Sequence, residues 1–369
     1  MKTIIGENYY AGILDDLIIN QDDHDVFEKL EVFLKKNKDK TKLLFISYDL
    51  KNKIEKLNSR NDDKIKFPVI RCVVPEKIFS KKKFVNLNKL ENKSIKFIPE
   101  LNKEDYLKKI EKVKSHIQKG DIYETNFCYN WEAKGKINNP YKVYQKLEEL
   151  TKAPFSVYSE IGDHVIISAS PERFIKKRGD KLISEPIKGT SKRSENKEID
   201  SQLIKDLKND PKERSENIMI VDLVRNDLSK VAKESSVKVE KLCEVNTFEN
   251  IHQMISTVSC NVEKETSFSK ILKALFPMGS MTGVPKLKAM ELMEKYELTK
   301  RGLYSGAIGV MKPSGDFDLN VVIRTIIYNK ANDFISFKVG GAITIKSKPE
   351  KEYEETLTKA EALLKACQQ

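Results

Sequence analysis

The chain has 369 residues, 39% of them hydrophobic, with 67 Lys and Arg against 55 Asp and Glu and a formal charge of +12. That is enough apolar content for a sizeable core without disulfides or metal clips, and the scattered lysines read as a solvated surface, not a nucleic-acid arm. Five widely spaced cysteines with no CxxC pair, acidic Glu7, Asp15 and Asp16 near the start, and no apolar run approaching roughly 18–20 residues point to a reduced, cytoplasmic setting, with neither signal peptide nor membrane span.

Residues 1–100 carry short apolar runs, KLLFISYDL (Lys42–Leu50) and FPVIRCVV (Phe67–Val74), between polar loops. The polar stretch Asn86–Asp105 reads as a crossing into a second part, which sets an N-terminal part at 1–100 packed on a main domain at 101–369. Tyr106–Asp121 has helical spacing and a glycine stop at Gly120. Ile122–Ala133 alternates as a strand. HVIISASPERFIKK (His164–Lys177) and KLISEPIKGT (Lys181–Thr190) read as two strands joined by a turn at Arg178-Gly179-Asp180. A helix begins after Asp210, with Pro211 in its first turn and Glu213 at the capping-box position. Another begins at Pro285, and strands follow at GAIGVM, DFDLNVVIRTIIYN and DFISFKVGGAITI. Ser347-Lys348-Pro349-Glu350 is a second capping box, opening a helix to about Ala366. With no regular βαβ rhythm, this pattern predicts an α+β protein built on mostly antiparallel sheet.

Several groups could carry chemistry. Glu213 and Glu216 share one helix face, as do Glu352 and Glu355, with Lys359 four residues on. They are either ordinary solvated glutamates or two carboxylate pairs facing a hard divalent cation such as Mg²⁺. Arg324 lies in an apolar, β-branched run that reads as a buried strand, where a guanidinium needs an internal acid or a substrate carboxylate. GSMTG (Gly279–Gly283), with Thr282, precedes a helix start, and Gly340-Gly341 follows a strand; both are loops that backbone amides could turn toward an anion. Lys188, in EPIKGT, is either a hairpin lysine or a nucleophile, and the second requires a neutral, buried amine.

From Tyr106 to Ala366 the motifs GDIYETN, SASPERF, PIKGT, ERSENIMIVDLVRND, GSMTGVPK, VIRT, GGAI and EKEYEETLTKA occur in the order of the chorismate-utilising enzymes, and the chain resembles that family. The resemblance implies two large, mostly antiparallel sheets packed face to face with helices outside. It implies Mg²⁺ on Glu216 and Glu355, with Glu213 and Glu352 in support, and chorismate held by Thr190, Thr282, Arg324, Gly340, Gly341 and Lys359. PIKGT matches the aminodeoxychorismate synthases, in which the lysine attacks the ring at C2 and ammonia then displaces it at C4; anthranilate synthases carry PIAGT. On that reading Lys188 is the nucleophile and Glu172 of SPERF the acid that protonates the departing hydroxyl. Such subunits take ammonia from a glutaminase, and with no GxCxG elbow in this chain a separate glutaminase partner is implied. Three positions depart from the family: Glu124 stands for its glutamine, Gln253 for a histidine (His252 is one place off) and Val310 for a tyrosine. The alternatives are anthranilate synthase component I, isochorismate or salicylate synthase, and a chorismate- or nucleic-acid-binding protein without turnover.

Overall fold

A computed structural model describes residues 1–249 and 251–368. Two ten-stranded sheets dominate it. The first runs Gly283–Val284, Glu124–Lys134, Phe334–Thr344, Thr325–Asn329, His164–Ser170, Phe155–Ile161, Lys2–Ile5, Asn8–Ala11 and Lys77–Ser80, with Ile98–Pro99 beside Glu124–Lys134. The second runs Ile187–Lys192, Ile251–Asn261, Lys181–Glu185, Arg173–Arg178, Phe317–Val321, Ala307–Met311, Lys42–Ile46, Ile70–Val74 and Asp15–Ile19, with Lys238–Thr247 beside Ile251–Asn261. Every recorded strand pairing within them is antiparallel. The first hundred residues put three strands into each sheet and a short one, Ile98–Pro99, beside the first.

The layers follow from the apolar faces. Tyr10, Val157, Ile166 and Ile327 of the first sheet meet Leu43, Phe45, Val73 and Ile308 of the second in a shared core, so the sheets pack face to face. The outer face of the first is covered by helices Lys103–Gln118, Pro140–Thr151, Lys286–Tyr296 and Pro349–Ala366. The outer face of the second is covered by Val26–Lys36, Pro211–Ser229 and Phe268–Leu275. This is the expected α+β architecture. Among the described residues no helix is long and apolar enough to cross a membrane, and all five cysteines are buried and free.

Local details both match and correct the sequence reading. Asp210 caps its helix, its carboxylate accepting from the amides of Lys212 and Glu213 at 2.8 and 2.9 Å. Gly120 follows the Lys103–Gln118 helix with φ 81, the left-handed turn that ends a helix. The second capping box does not form. Lys348 occupies the N-cap without a side-chain bond, and the Ser347 hydroxyl instead accepts from the Thr344 amide at 3.1 Å.

More consequential are two apolar runs read as single strands. His164–Lys177 breaks at Pro171-Glu172, leaving His164–Ser170 in the first sheet and Arg173–Arg178 in the second. Asp316–Asn329 breaks likewise, so Arg324 is not inside a strand; it sits where the chain passes back from Phe317–Val321 to Thr325–Asn329. The His164–Ser170 and Thr325–Asn329 halves are buried on both faces and Phe317–Val321 nearly so, so apolar patterning does not register the change of sheet. The two crossings bind each other: the Val321 amide donates to the Glu172 carbonyl at 3.0 Å, and the Ala169 amide to the Arg324 carbonyl at 3.1 Å.

Candidate active site

Lys188 and Glu172 come from the second sheet or its approach, Glu124, Gly340 and Gly341 from the first, and the glutamate pairs from helices Pro211–Ser229 and Pro349–Ala366. KLISEPIKGT is not one strand: it breaks at Pro186 into Lys181–Glu185 and Ile187–Lys192. The second piece pairs Ile187 with Ile255 and Thr190 with Gln253, a register shift that leaves Lys188-Gly189 in a bulge. A bulge re-aims a side chain, and Gly189 supplies the left-handed φ of 82 that it needs. A Cβ on Gly189 would also stand 3.1 Å from a Glu213 carboxylate oxygen, so the bulge lies directly on that helix.

The amine of Lys188 points inward. It donates to Glu124 Oε1 at 2.7 Å, and the two side chains are 10% and 2% exposed. Burial works to strip its proton, but Glu124, Glu216 and Glu172 outweigh burial and hold its pKa above the ordinary lysine value. The amine is therefore largely enclosed, as a nucleophile requires, but its acidic neighbours favour the ammonium over the neutral amine. Glu172 is buried, and its pKa is pushed up to about 7 by desolvation, against the Ser280 hydroxyl, Lys188 and the Ile187 amide. A carboxyl so placed keeps its proton near neutrality and can give it away.

The four helix glutamates face one another across the cluster. Burial pushes Glu216 up to about 7, with Lys188 and Lys212 drawing it down and Glu124 and Glu213 pushing it further. Glu213 is raised by burial and by Glu355, against Lys212. Burial opposes ionisation of Glu355, but Lys359, 2.6 Å away, holds it below its usual value. Lys212, not singled out in the sequence, reaches between the helices, 3.4 Å from Glu352 and 3.7 Å from Glu216. Its spacing four residues before Glu216 was the available signal.

Among the described residues no three Asp, Glu, His or Cys side chains converge as a ready-made chelate. The donor set nevertheless fits a hard cation in charge and chemistry: Glu216 and Glu352 are buried, one on each helix, Glu213 is half-buried and Glu355 opens to solvent, and one oxygen of Glu216 has no hydrogen-bond partner among the described residues. Lys212 stands between Glu216 and Glu352 as a counter-charge.

Around this cluster, Gly340 and Gly341 lie inside the strand Phe334–Thr344, not after it. A Cβ on Gly340 would run into the Phe127 carbonyl, while one on Gly341 would stand 3.7 to 3.8 Å from Glu352, Glu355 and Lys359. Lys359 donates to the Gly340 carbonyl at 2.8 Å. Arg324 has φ 51, a left-handed conformation that costs a non-glycine residue on the order of 1–2 kcal/mol. Its guanidinium meets only the Lys359 carbonyl, at 3.4 Å, among the described hydrogen bonds, so it lacks an acidic partner. Burial lowers its pKa against Tyr304 and Glu355. Thr282 is buried, its hydroxyl on the Met278 and Gly279 carbonyls, and its own carbonyl accepts from the Asn126 amide at 2.8 Å. Thr190 is exposed on the edge strand. His252 is fully buried between Asp200 and Thr247, and Val310 packs on the inter-sheet core.

Residues 6–365 match the model of the chorismate binding enzymes, and the chain is a member of that family. Over 265 residues, 72% of this chain and 36% of the relative, it is 37% identical to the aminodeoxychorismate synthase of Streptomyces griseus. It is 35% identical to anthranilate synthase component 1 of Aquifex aeolicus over 266 residues, 72% of this chain and 53% of that one. The chain thus spans between about a third and a half of the length of these relatives. Anthranilate synthase component I from Streptococcus pneumoniae TIGR4 superposes with a TM-score of 0.84 at 25% identity, covering 99% of this chain and 92% of that chain.

Proposed function

We propose that this chain is the chorismate-converting component of an aminodeoxychorismate synthase, turning chorismate and ammonia into 4-amino-4-deoxychorismate. The observation that carries the reading is Lys188, buried in its bulge beside Glu172 and the glutamate cluster. Lys188 Nζ forms a bond to ring C2 while the C4–O bond breaks, and Glu172 gives its proton to the departing hydroxyl, which leaves as water. Ammonia then attacks C4, the bond to Lys188 breaks, and nitrogen is left para to the ring carboxylate.

Glu216 and Glu355, with Glu213 and Glu352 in support, would hold Mg²⁺, which would supply charge neutralisation at the ring carboxylate. Arg324, lacking an acidic partner, receives the enolpyruvyl carboxylate together with Lys359 and the backbone at Gly340 and Gly341. Thr282 and Thr190 line the substrate. A separate glutaminase partner supplies ammonia in the cell.

The anthranilate synthases among the relatives make ortho-amination the second reading. Incubation with chorismate, Mg²⁺ and ammonium salt, with the product identified by mass and ultraviolet spectrum, separates the two. A para-amino product that keeps its enolpyruvyl arm is expected; ortho-aminobenzoate with pyruvate would overturn the assignment. The acid makes a further prediction. Because Glu172 must be protonated and its pKa stands at about 7, kcat should fall as pH rises through that value. Glu172→Gln should lower kcat by roughly 10²–10⁴-fold and abolish that limb.

A further inference from the structure

Lys188 is held as an ammonium, yet its role requires a free lone pair, so the proton must go somewhere. Lys188 makes one side-chain hydrogen bond among the described residues, to Glu124 Oε1 at 2.7 Å. The other oxygen of Glu124, Oε2, is buried and has no hydrogen-bond partner. The backbone of Glu124 is held between Val284 on one neighbouring strand and Thr344 on the other, and its side chain is 2% exposed, so the carboxylate is enclosed beside the amine. The other acids facing Lys188 are otherwise engaged. Glu172 is bound to Ser280 and to the Ile187 amide. Glu213, Glu216 and Glu355 belong to the carboxylate cluster and act on the lysine only through space.

We propose that Glu124 is the catalytic base that takes the proton from Lys188 and returns it at the end of the cycle. This rests on the reading of Lys188 as nucleophile. One N–H bond of Lys188 breaks and an O–H bond forms on Glu124, and the freed lone pair makes the bond to C2. Glu172 protonates the leaving hydroxyl and is recharged by the proton shed from the new C4 ammonium. When the bond between Lys188 and the ring breaks, the neutral amine recovers its proton from Glu124. The glutamate that departs from the family's glutamine thereby makes lysine activation internal to the site.

Glu124→Gln, assayed as the full chain with Mg²⁺ and ammonium, should lower kcat about 10²-fold or more while the chorismate KM moves less than about threefold. The deficit should shrink as pH rises, because a Lys188 without its anion loses its proton to solvent more readily. Wild-type kcat in this variant at neutral pH would overturn the proposal. Should the variant not fold, judged by circular dichroism and chorismate binding, the wild-type enzyme decides. With saturating Mg²⁺, internal transfer predicts a kcat that does not rise from about pH 6 to pH 7 and falls about twofold as Glu172 loses its proton, whereas deprotonation by solvent predicts a rise of about fivefold over the same interval. Lys188→Ala separates this inference from the reading beneath it. If that variant collapses while Glu124→Gln does not, only Glu124 is misassigned; if both keep wild-type rates, the nucleophile itself is.

Discussion

If the proposed function holds, Lys188→Ala is expected to slow formation of 4-amino-4-deoxychorismate on the order of 10³-fold or more, because it removes the group proposed to bond to C2. The fold should survive. The lysine lies in an edge-strand bulge whose backbone bonds to the neighbouring strand do not depend on its side chain. Deleting the amine also leaves Glu124 without its ion-pair partner, which adds a local electrostatic cost beside Glu216. The same deletion opens space next to C2. With ammonium saturating, ammonia can enter there directly, and a trace of ortho-aminated product should appear in place of the para isomer. Mass and ultraviolet spectra of the products check both outcomes. Undiminished para-amination would show that the lysine is not the nucleophile.

Arg301→Met is expected to cost the most stability. The guanidinium is bidentate on Glu297, with bonds of 2.9 and 2.7 Å, and lies over the Tyr48 ring at 4.5 Å. It also donates to the Met281 carbonyl at 2.6 Å and the Asn126 carbonyl at 2.7 Å. Arg301 and Glu297 are both buried. Removing one partner of such a pair strands the other charge, a penalty of roughly 3–5 kcal/mol. For a chain this long that corresponds to a fall of roughly 4–6 °C in Tm, read by calorimetry. The double variant Arg301→Met with Glu297→Gln should recover part of the loss, since no buried charge is then unpaired. Because Met281 and Asn126 adjoin Thr282 and Thr125, the substrate-facing backbone should loosen together with the core.

Much of this site was legible as motifs but not as geometry. The helix carrying Glu213 and Glu216 announced itself through Asp210 and Pro211, because capping is local chemistry. The glutamate pairs followed from helical spacing. What escaped was everything set by tertiary contact. Arg324 read as strand because its neighbours are apolar on both sides, and only the second sheet reveals the passage between layers. Lys188 stayed open between a hairpin lysine and a nucleophile, since a bulge depends on the register of its partner strand. Its protonation could not be read either: burial pointed to a neutral amine, and three glutamates from other parts of the chain reverse the sign.

The bonded pair of crossings, Glu172 on one and Arg324 on the other, ties two chemical tasks to a single mechanical gauge. Glu172 lies at the second-sheet end of its passage and Arg324 at the first-sheet end of the other, so the thickness of the apolar layer between the sheets sets how far apart the two residues lie. A bulkier or smaller side chain at Phe45 or Ile308, well away from any substrate, would alter the span between proton donor and carboxylate clamp. Selection on turnover would then extend to packing residues that never meet the ring.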